Sequence, residues 1–119
     1  MKQILIIMSL LSMLFGTTNQ TDEIKVLEPS EYKSHIEGKK VQLVDVRTSG
    51  EYNAGHIKNA KNIDFYGPHF LTQFEKLDKD KPVYIYCRSG MRSAQASKKL
   101  VGLGFNEIYD LKGGYSNWK

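Results

Sequence analysis

The segment of this chain with the clearest chemical potential is YCRSGMRS, residues 86–93, which holds the only cysteine of the sequence, Cys87. Cys87 is followed directly by Arg88 and, after a short serine- and glycine-containing stretch, by Arg92. A loop that contains Gly90 can turn successive backbone N–H groups towards one point and so bind an anion. Fixed positive charges and a helix N-terminus both favour ionisation of a nearby thiol. The segment therefore predicts a thiolate nucleophile in an anion-binding loop.

An inert cysteine beside two surface arginines is the alternative interpretation. A free cysteine often behaves as a small buried hydrophobe. The position of Cys87 argues against this alternative, because it follows directly after the apolar segment PVYIY, residues 82–86. In parallel α/β sheets, ligands bind beyond the carboxyl ends of the strands. We therefore favour a functional thiol.

Short apolar segments alternate with amphipathic segments along the chain. Strands are predicted at residues 23–27, 41–46, 60–65, 82–86 and 107–111, and helices at residues 29–36, 49–54, 70–77 and 92–103. Thr48 and Glu51 have the spacing of a capping box at the start of the second helix. Strands separated by helices predict an α/β fold with a parallel sheet of about five strands and helices on both faces.

Residues 1–20 differ in character from the rest of the chain. Lys2 is followed by an apolar run from Ile4 to Phe15 and then by small polar residues, as is typical of a secretory signal peptide. The run is shorter than the roughly 20 residues of a membrane-spanning helix. We expect cleavage after this run, with a short N-terminal anchor as the alternative. The prediction is an exported, periplasmic domain at residues 23–119 without a stable membrane span.

Composition limits the function classes. The 119 residues, 40% hydrophobic and 25% charged, fit one globular domain. The net charge of +4 comes from basic residues spread along the chain without interleaved aromatics, so we predict no nucleic-acid partner. His35, His56 and His69 lack metal-site spacing, and GLGFNE at residues 102–107 fits a helix end better than a dinucleotide loop. We predict neither a metal nor a cofactor.

Three ordered segments resemble a known family. CRSGMRS is similar to the active-site loop of the rhodanese, or thiosulfate sulfurtransferase, domains. VDVRTSGEYNAGHIKNAKNID at residues 44–64 resembles the first signature of that family, and LKGGYSNWK at residues 111–119 resembles its C-terminal signature. The resemblance implies a rhodanese-like domain from about residue 23 to the end. It also implies that Cys87 takes sulfane sulfur from thiosulfate or a persulfide donor and passes it to cyanide, a small thiol or a protein thiol.

The resemblance also assigns roles around Cys87. The backbone amides of residues 88–92 would cradle the outer sulfur of a Cys87 persulfide, and the two arginines would hold the anionic donor. The predicted substrate-binding residues are Arg88, Ser89, Gly90, Met91 and Arg92, and the predicted supporting residues are Asp45, Arg47 and Ser93.

The sequence also predicts several side-chain contacts. Asp45 and Arg47 could support the loop through a charged hydrogen bond. An ion pair between Arg47 and Glu51, four residues apart in the sequence, is the equal alternative. We expect His56 to make a structural hydrogen bond rather than act as a base, and Trp118 to pack on the core.

Two other functions stay open at this stage. Cysteine-based phosphatases and arsenate reductases resemble the pattern C-x5-R, but the position of that arginine is Ser93 in this chain. A loop shorter by one residue suits a sulfur atom better than a tetrahedral oxyanion. A persulfide carrier or a redox-sensing binding module would use the same thiol without turnover.

Overall fold

Five short parallel strands form one sheet in the computed structural model, which describes residues 22–119. The strands are β1 (Ile24–Leu27), β2 (Gln42–Asp45), β3 (Lys61–Asn62), β4 (Val83–Tyr86) and β5 (Ile108–Leu111), and their order across the sheet is β1-β5-β4-β2-β3. Neighbouring strands are parallel throughout. The predicted α/β fold with a five-stranded parallel sheet is confirmed. The predicted signal peptide at residues 1–20 lies outside the described residues.

Helices cover both faces of the sheet, as predicted. They are α1 (Pro29–Ile36), α2 (Ser49–Ala54), α3 (Phe70–Glu75) and α4 (Met91–Leu103), with a short 3₁₀ turn at Tyr115–Asn117. Phe74 and Leu100, from α3 and α4, pack on one face, whereas Tyr32 of α1 packs on the other. No helix within residues 22–119 is both long enough and apolar enough to cross a membrane.

The central strand β4 delivers Cys87 to the middle of the carboxyl edge. All side chains of β4 are buried, because the strand lies between β2 and β5 and has helices on both faces. Val83 and Ile85 face α3 and α4, while Tyr84 and Tyr86 face α1. Successive side chains of a strand alternate between faces. Cys87 continues the alternation and joins the core beneath α4.

The third strand is shorter than predicted. Instead of residues 60–65, only Lys61–Asn62 is paired as a strand with β2. The next residues still donate from Ile63 to the Asp45 carbonyl and from Phe65 to the Val46 carbonyl, at 3.0 Å each. The regular strand pairing of this edge segment is therefore two residues long, and single hydrogen bonds to the β2 segment continue as far as Phe65.

Most helices begin and end within two residues of their predicted limits. Thr48 and Glu51 form the predicted capping box at the start of α2. Helix α4 ends at Leu103, and Gly104 follows with φ +103°, a left-handed conformation that favours glycine at a helix end. GLGFNE is therefore a helix end and turn. Helix α3 ends at Glu75, two residues before the predicted limit.

Candidate active site

Cys87 is fully buried beneath the loop that joins β4 to α4. The backbone N–H of Gly90 donates to Cys87 Sγ at 3.0 Å, and Ser93 Oγ lies 3.4 Å from the sulfur. Gly90 has φ +111°, a conformation that glycine adopts readily and that turns this amide towards the sulfur. Helix α4 begins at Met91, so its first-turn amides and the positive end of its dipole lie beside the thiol. The fold therefore brings a thiol and several hydrogen-bond donors together.

The C-terminal segment holds the outer side of this loop. The backbone N–H of Tyr115 donates to the Cys87 carbonyl at 2.8 Å, and that of Ser116 donates to the Arg88 carbonyl at 3.0 Å. Gly114 approaches so closely that a Cβ there would lie 2.5 Å from the carbonyl carbon and oxygen of Arg88. These contacts fix two carbonyls on the outside of the loop. The loop N–H groups can then face the sulfur.

The two arginines of the loop have different surroundings. Arg88 is exposed, and its guanidinium has no ion pair within residues 22–119. Arg92 is half-buried and donates from Nη1 and Nη2 to the two carboxylate oxygens of Glu51, at 2.8 and 3.0 Å. This bond raises the pKa of Arg92, and Cys87 and Tyr66 add smaller effects of the same sign. Arg88 thus offers an uncompensated charge to an anion, whereas the charge of Arg92 is already matched.

Glu51 connects the loop to α2. Its Oε1 accepts from the backbone N–H of Thr48 at 3.1 Å, while Thr48 Oγ1 accepts from the backbone N–H of Glu51 at 3.3 Å. The hydrogen bonds from Arg92, and secondarily those from Thr48, lower the pKa of Glu51 to about 2. Glu51 is therefore ionised at neutral and mildly acidic pH, and it fixes the side chain of Arg92.

Asp45 and Arg47 form a buried ion pair at the end of β2. Arg47 Nη2 lies 2.6 Å from Asp45 Oδ2, and Nε lies 3.0 Å from both carboxylate oxygens. The same Nη2 donates to the Gly55 carbonyl at 2.6 Å. The expected alternative, an ion pair between Arg47 and Glu51, is wrong, because Asp45 binds Arg47 and Glu51 binds Arg92.

Arg47 contacts the Cys87 loop through an aromatic ring and not through a direct hydrogen bond. The guanidinium carbon lies 4.3 Å from the centroid of the Tyr115 ring, within cation–π distance. The backbone N–H of Tyr115 is the group that holds the Cys87 carbonyl. The Asp45–Arg47 pair can therefore support the loop through Tyr115 and through Tyr86, the residue before Cys87, whose ring centroid lies 5.6 Å from the Arg47 guanidinium carbon.

His56 and Trp118 lie away from the thiol. His56 Nδ1 is 2.8 Å from the Tyr52 carbonyl oxygen and its ring stacks on Tyr52, which is the expected structural hydrogen bond. Trp118 packs edge-on against Tyr32 in the core on the α1 face, as expected. Within residues 22–119, no group of three His, Cys, Asp or Glu side chains is arranged to hold a metal ion.

Sequence reasoning missed three residues of this site. Tyr115 was not recognised as the link to Arg47, and Glu51 was not recognised as the partner of Arg92, 41 residues away. Asp110 is a buried carboxyl on β5, behind the loop. Its signal in the sequence is a single charged residue within the otherwise apolar strand IYDL.

Comparisons with known proteins agree with this arrangement. A family model described as a rhodanese-like domain matches residues 28–119. The chain is 38% identical over 95 residues to the uncharacterized protein YqhL of Bacillus subtilis, covering 80% of this chain and 72% of that protein. It is 36% identical over 95 residues to the thiosulfate sulfurtransferase GlpE of Shewanella oneidensis, and the match covers 79% of this chain and 91% of that protein. The crystal structure of a rhodanese-like domain protein from Staphylococcus aureus matches with a TM-score of 0.70 and 33% identity, covering 80% of this chain and 91% of that one.

Proposed function

Because the chain belongs to the rhodanese-like domain family, we propose that it is a sulfurtransferase in which Cys87 takes sulfane sulfur from thiosulfate and passes it to a thiophilic acceptor. Its similarity to the thiosulfate sulfurtransferase GlpE supports this reaction. The single observation that carries the proposal is the Gly90 N–H at 3.0 Å from Cys87 Sγ, beside the N-terminus of α4. Such preorganised donors stabilise negative charge on sulfur before and after transfer.

The first half-reaction loads Cys87 with sulfur. The Cys87 thiolate attacks the sulfane sulfur of thiosulfate, a new sulfur–sulfur bond forms, and the sulfur–sulfur bond of thiosulfate breaks. Sulfite leaves with the electron pair of that bond, and Cys87 becomes a persulfide anion. The amides of residues 88–92 cradle the outer sulfur. Arg88, at the exposed rim, balances the charge of the donor and of the departing sulfite.

The second half-reaction returns Cys87 to the thiolate. An acceptor such as cyanide or a thiolate attacks the outer sulfur, and the Cys87 thiolate is the leaving group. With cyanide, the product is thiocyanate. Cys87 itself is fully buried, whereas Arg88, Ser89 and Met91 of the loop are exposed. The acceptor therefore meets the outer sulfur from the side of these three residues.

The decisive experiment follows the sulfur directly. The purified protein is incubated with thiosulfate and its intact mass is measured, and cyanide is then added and thiocyanate is assayed. We expect a gain of one sulfur atom and its release as thiocyanate. Cys87→Ser, which is close in size, should gain no sulfur. Absence of sulfur uptake by the wild-type protein would reject the proposal.

The same experiment separates the two alternative functions. Ser93 is buried against Cys87 where a C-x5-R loop would need its arginine, and this position favours sulfur over phosphoryl transfer. Hydrolysis of an aryl phosphate without sulfur uptake would indicate a phosphatase. Sulfur uptake without turnover to any small acceptor would indicate a persulfide carrier.

Export of the domain is a separate proposal, and it rests on the signal-like pattern of residues 1–20. The test is N-terminal sequencing of the full chain after expression in a bacterium, with periplasm and cytosol separated. We expect the periplasmic protein to begin after the apolar run that ends at Phe15. Protein that keeps Met1 and stays in the cytosol would contradict export.

A further inference from the structure

Asp110 is a buried carboxyl behind the Cys87 loop that the proposed reaction does not use. It is 4% exposed and lies on β5 in register with Ile85 of β4. Ile108, two residues earlier on the same face, packs in one core cluster with Cys87. Asp110 Oδ1 is buried and has no hydrogen-bond partner within residues 22–119. A buried carboxyl oxygen without a partner is costly when charged, so its presence calls for an explanation.

Ser93 lies between Asp110 and Cys87. It is fully buried in the first turn of α4, and its Oγ is 3.4 Å from Cys87 Sγ and 3.3 Å from the Gly90 carbonyl oxygen. The Ser93 side chain also lies within hydrogen-bonding reach of the Asp110 carboxyl, whose pKa it lowers. A serine hydroxyl has one proton to donate, so it can serve only one of these three acceptors at a time. The state of Asp110 therefore affects whether the proton of Ser93 is available to the sulfur.

We propose that Asp110 is a positioning residue that controls how readily Cys87 becomes a thiolate, acting through the hydroxyl of Ser93. This inference rests on the proposed role of Cys87 as the sulfur acceptor. A neutral Asp110 carries its own proton and donates it to Ser93 Oγ, which leaves the proton of Ser93 for the sulfur anion. An ionised Asp110 takes the proton of Ser93 and places a second negative charge behind the loop. Neutral Asp110 favours the thiolate, and ionised Asp110 opposes it.

The surroundings of Asp110 determine the pH at which its carboxyl changes from neutral to ionised. Burial raises the pKa of Asp110 to about 6, against smaller opposing effects from hydrogen bonds with Ser93 and the Leu111 backbone. On the opposite, α1 face of the sheet lies Tyr32, whose own pKa is raised by burial and then by the charge of Asp110. On β1 its partner in register is the uncharged Val26. No lysine or arginine of residues 22–119 is among the groups that shift this pKa, so Asp110 changes its charge near pH 6, and its ionisation there should oppose formation of the Cys87 thiolate.

The test measures the reactivity of Cys87 in the sulfur-free full chain. The rate of alkylation by iodoacetamide is followed by intact mass from about pH 4.5 to about pH 9, a range that brackets the titration of the carboxyl. The wild-type profile should show an inflection near pH 6 in addition to that of the thiol. Asp110→Asn is neutral at every pH and should remove this inflection and move the profile towards acid. Asp80→Asn, at an exposed carboxylate between α3 and β4, is the matched control and should keep the wild-type profile.

A second variant tests the route. Ser93→Ala keeps the carboxyl but removes the bridging hydroxyl, so most of the inflection near pH 6 should disappear although Asp110 still titrates. Superimposable profiles for the wild type and Asp110→Asn would overturn the proposal, as would an unchanged inflection in Ser93→Ala. Alkylation requires no sulfur transfer. A shifted profile in a protein that takes up no sulfur would reject the proposed function, while still showing that Asp110 affects the ionisation of Cys87.

Discussion

Glu51 binds Arg92 through both of its carboxylate oxygens beside the Cys87 loop, with N–O distances of 2.8 and 3.0 Å. The carboxylate neutralises one of the two arginines that flank the thiol. Arg88 keeps its charge at the exposed rim. The geometry therefore favours Arg88 as the main anchor for an anionic sulfur donor, and Arg92 as a group that is oriented by Glu51.

Arg88→Ala should weaken the use of thiosulfate more than Arg92→Ala does. We expect KM for thiosulfate to rise about tenfold for Arg88→Ala, which corresponds to about 1.4 kcal/mol. For Arg92→Ala we expect a rise of about two- to threefold, because its charge is already paired. Steady-state kinetics with cyanide as the acceptor measures both. The effect of Arg88→Ala should shrink with added salt, since exposed charges are screened, and equal effects of the two variants would contradict the neutralisation by Glu51.

The Glu51–Arg92 pair should stabilise the fold at neutral pH and lose this effect in acid. The folded-state pKa of Glu51 is about 2, below the ordinary value of 4.5. A carboxyl with a depressed pKa stabilises the fold above its unfolded-state pKa, and the stabilisation is lost as the pH falls from about 4.5 to about 2. The pair is partly exposed, since the Arg92 side chain is 18% accessible and the Glu51 side chain 24%. We therefore expect the pair to stabilise the fold by about 1–2 kcal/mol, less than the lowered pKa alone would give.

Urea unfolding of the wild type and Arg92→Met checks this pH dependence. Arg92→Met should be less stable than the wild type by about 1–2 kcal/mol at pH 7, and by much less near pH 2.5. A difference in the free energy of unfolding that stays constant over this range would show that packing of the Arg92 side chain, and not its ion pair, provides the stabilisation.

The elements that position Cys87 could be predicted from the sequence. A continuous apolar segment before Cys87 and an amphipathic segment after it predicted β4 and α4 nearly at their observed limits. Such patterns work because a central strand must be buried on both faces and a covering helix on one. The edge strand was predicted too long. At the edge of the sheet, the side-chain pattern alone does not determine how many residues pair with the neighbouring strand. The observed strand β3 ends at Asn62.

The pairing of charged side chains could not be predicted in the same way. Local spacing suggested an ion pair between Arg47 and Glu51, yet Glu51 binds Arg92, 41 residues away. The strand order places β2 beside β4, which brings the residues that follow each strand together at one edge of the sheet. A pattern confined to neighbouring residues contains no information about that order. For the same reason the sequence did not predict the position of Asp110 near the site, because its neighbours Ser93 and Cys87 come from other elements.

Gly114→Ala should disrupt the loop while Gly38→Ala should not. A Cβ on Gly114 would lie 2.5 Å from the Arg88 backbone and 2.6 Å from the Cys87 carbonyl oxygen, at φ +63°. Gly38 has a similar φ of +68° but nothing within 4 Å of the same position, so it is a control for backbone strain alone. We expect a loss of about 1 kcal/mol for Gly38→Ala. For Gly114→Ala we expect a further loss of about 1–3 kcal/mol from the clash.

Urea unfolding and sulfur loading by intact mass distinguish these two glycine variants. Gly38→Ala should load sulfur as the wild type does, whereas Gly114→Ala should load little, because its clash displaces the carbonyls that fix the loop. Full loading of Gly114→Ala would show that the loop does not depend on its contact with the C-terminal segment.

Arg47→Met should destabilise the protein strongly, because it leaves the Asp45 carboxylate buried without its partner. Breaking a buried ion pair in this way costs about 3–5 kcal/mol. Arg47→Lys should recover only part of the loss, since an ammonium group cannot reproduce the paired geometry of the guanidinium. The double variant Asp45→Asn/Arg47→Met removes the stranded charge and should be more stable than Arg47→Met alone. Urea unfolding at pH 7 compares the three variants, and a double variant that is less stable than Arg47→Met would contradict this assignment.

Asp110→Asn should stabilise the protein at neutral pH and have a much smaller effect in acid. Burial raises the folded-state pKa of Asp110 to about 6 from an ordinary value of 3.8. At Asp110 the folded protein therefore binds more protons than the unfolded chain between these values, so the contribution of Asp110 to stability is most favourable below about pH 3.8 and is lost as the pH rises through about 6. A shift of about two units corresponds to about 3 kcal/mol, which is the upper limit of the gain for Asp110→Asn at pH 7.5. Urea unfolding at pH 4 and pH 7.5 measures the gain, with Asp80→Asn as the control that should show none. A gain that is larger at pH 4 than at pH 7.5 would mean that Asp110 is stabilised as the anion, and it would remove the physical basis for its proposed influence on Cys87.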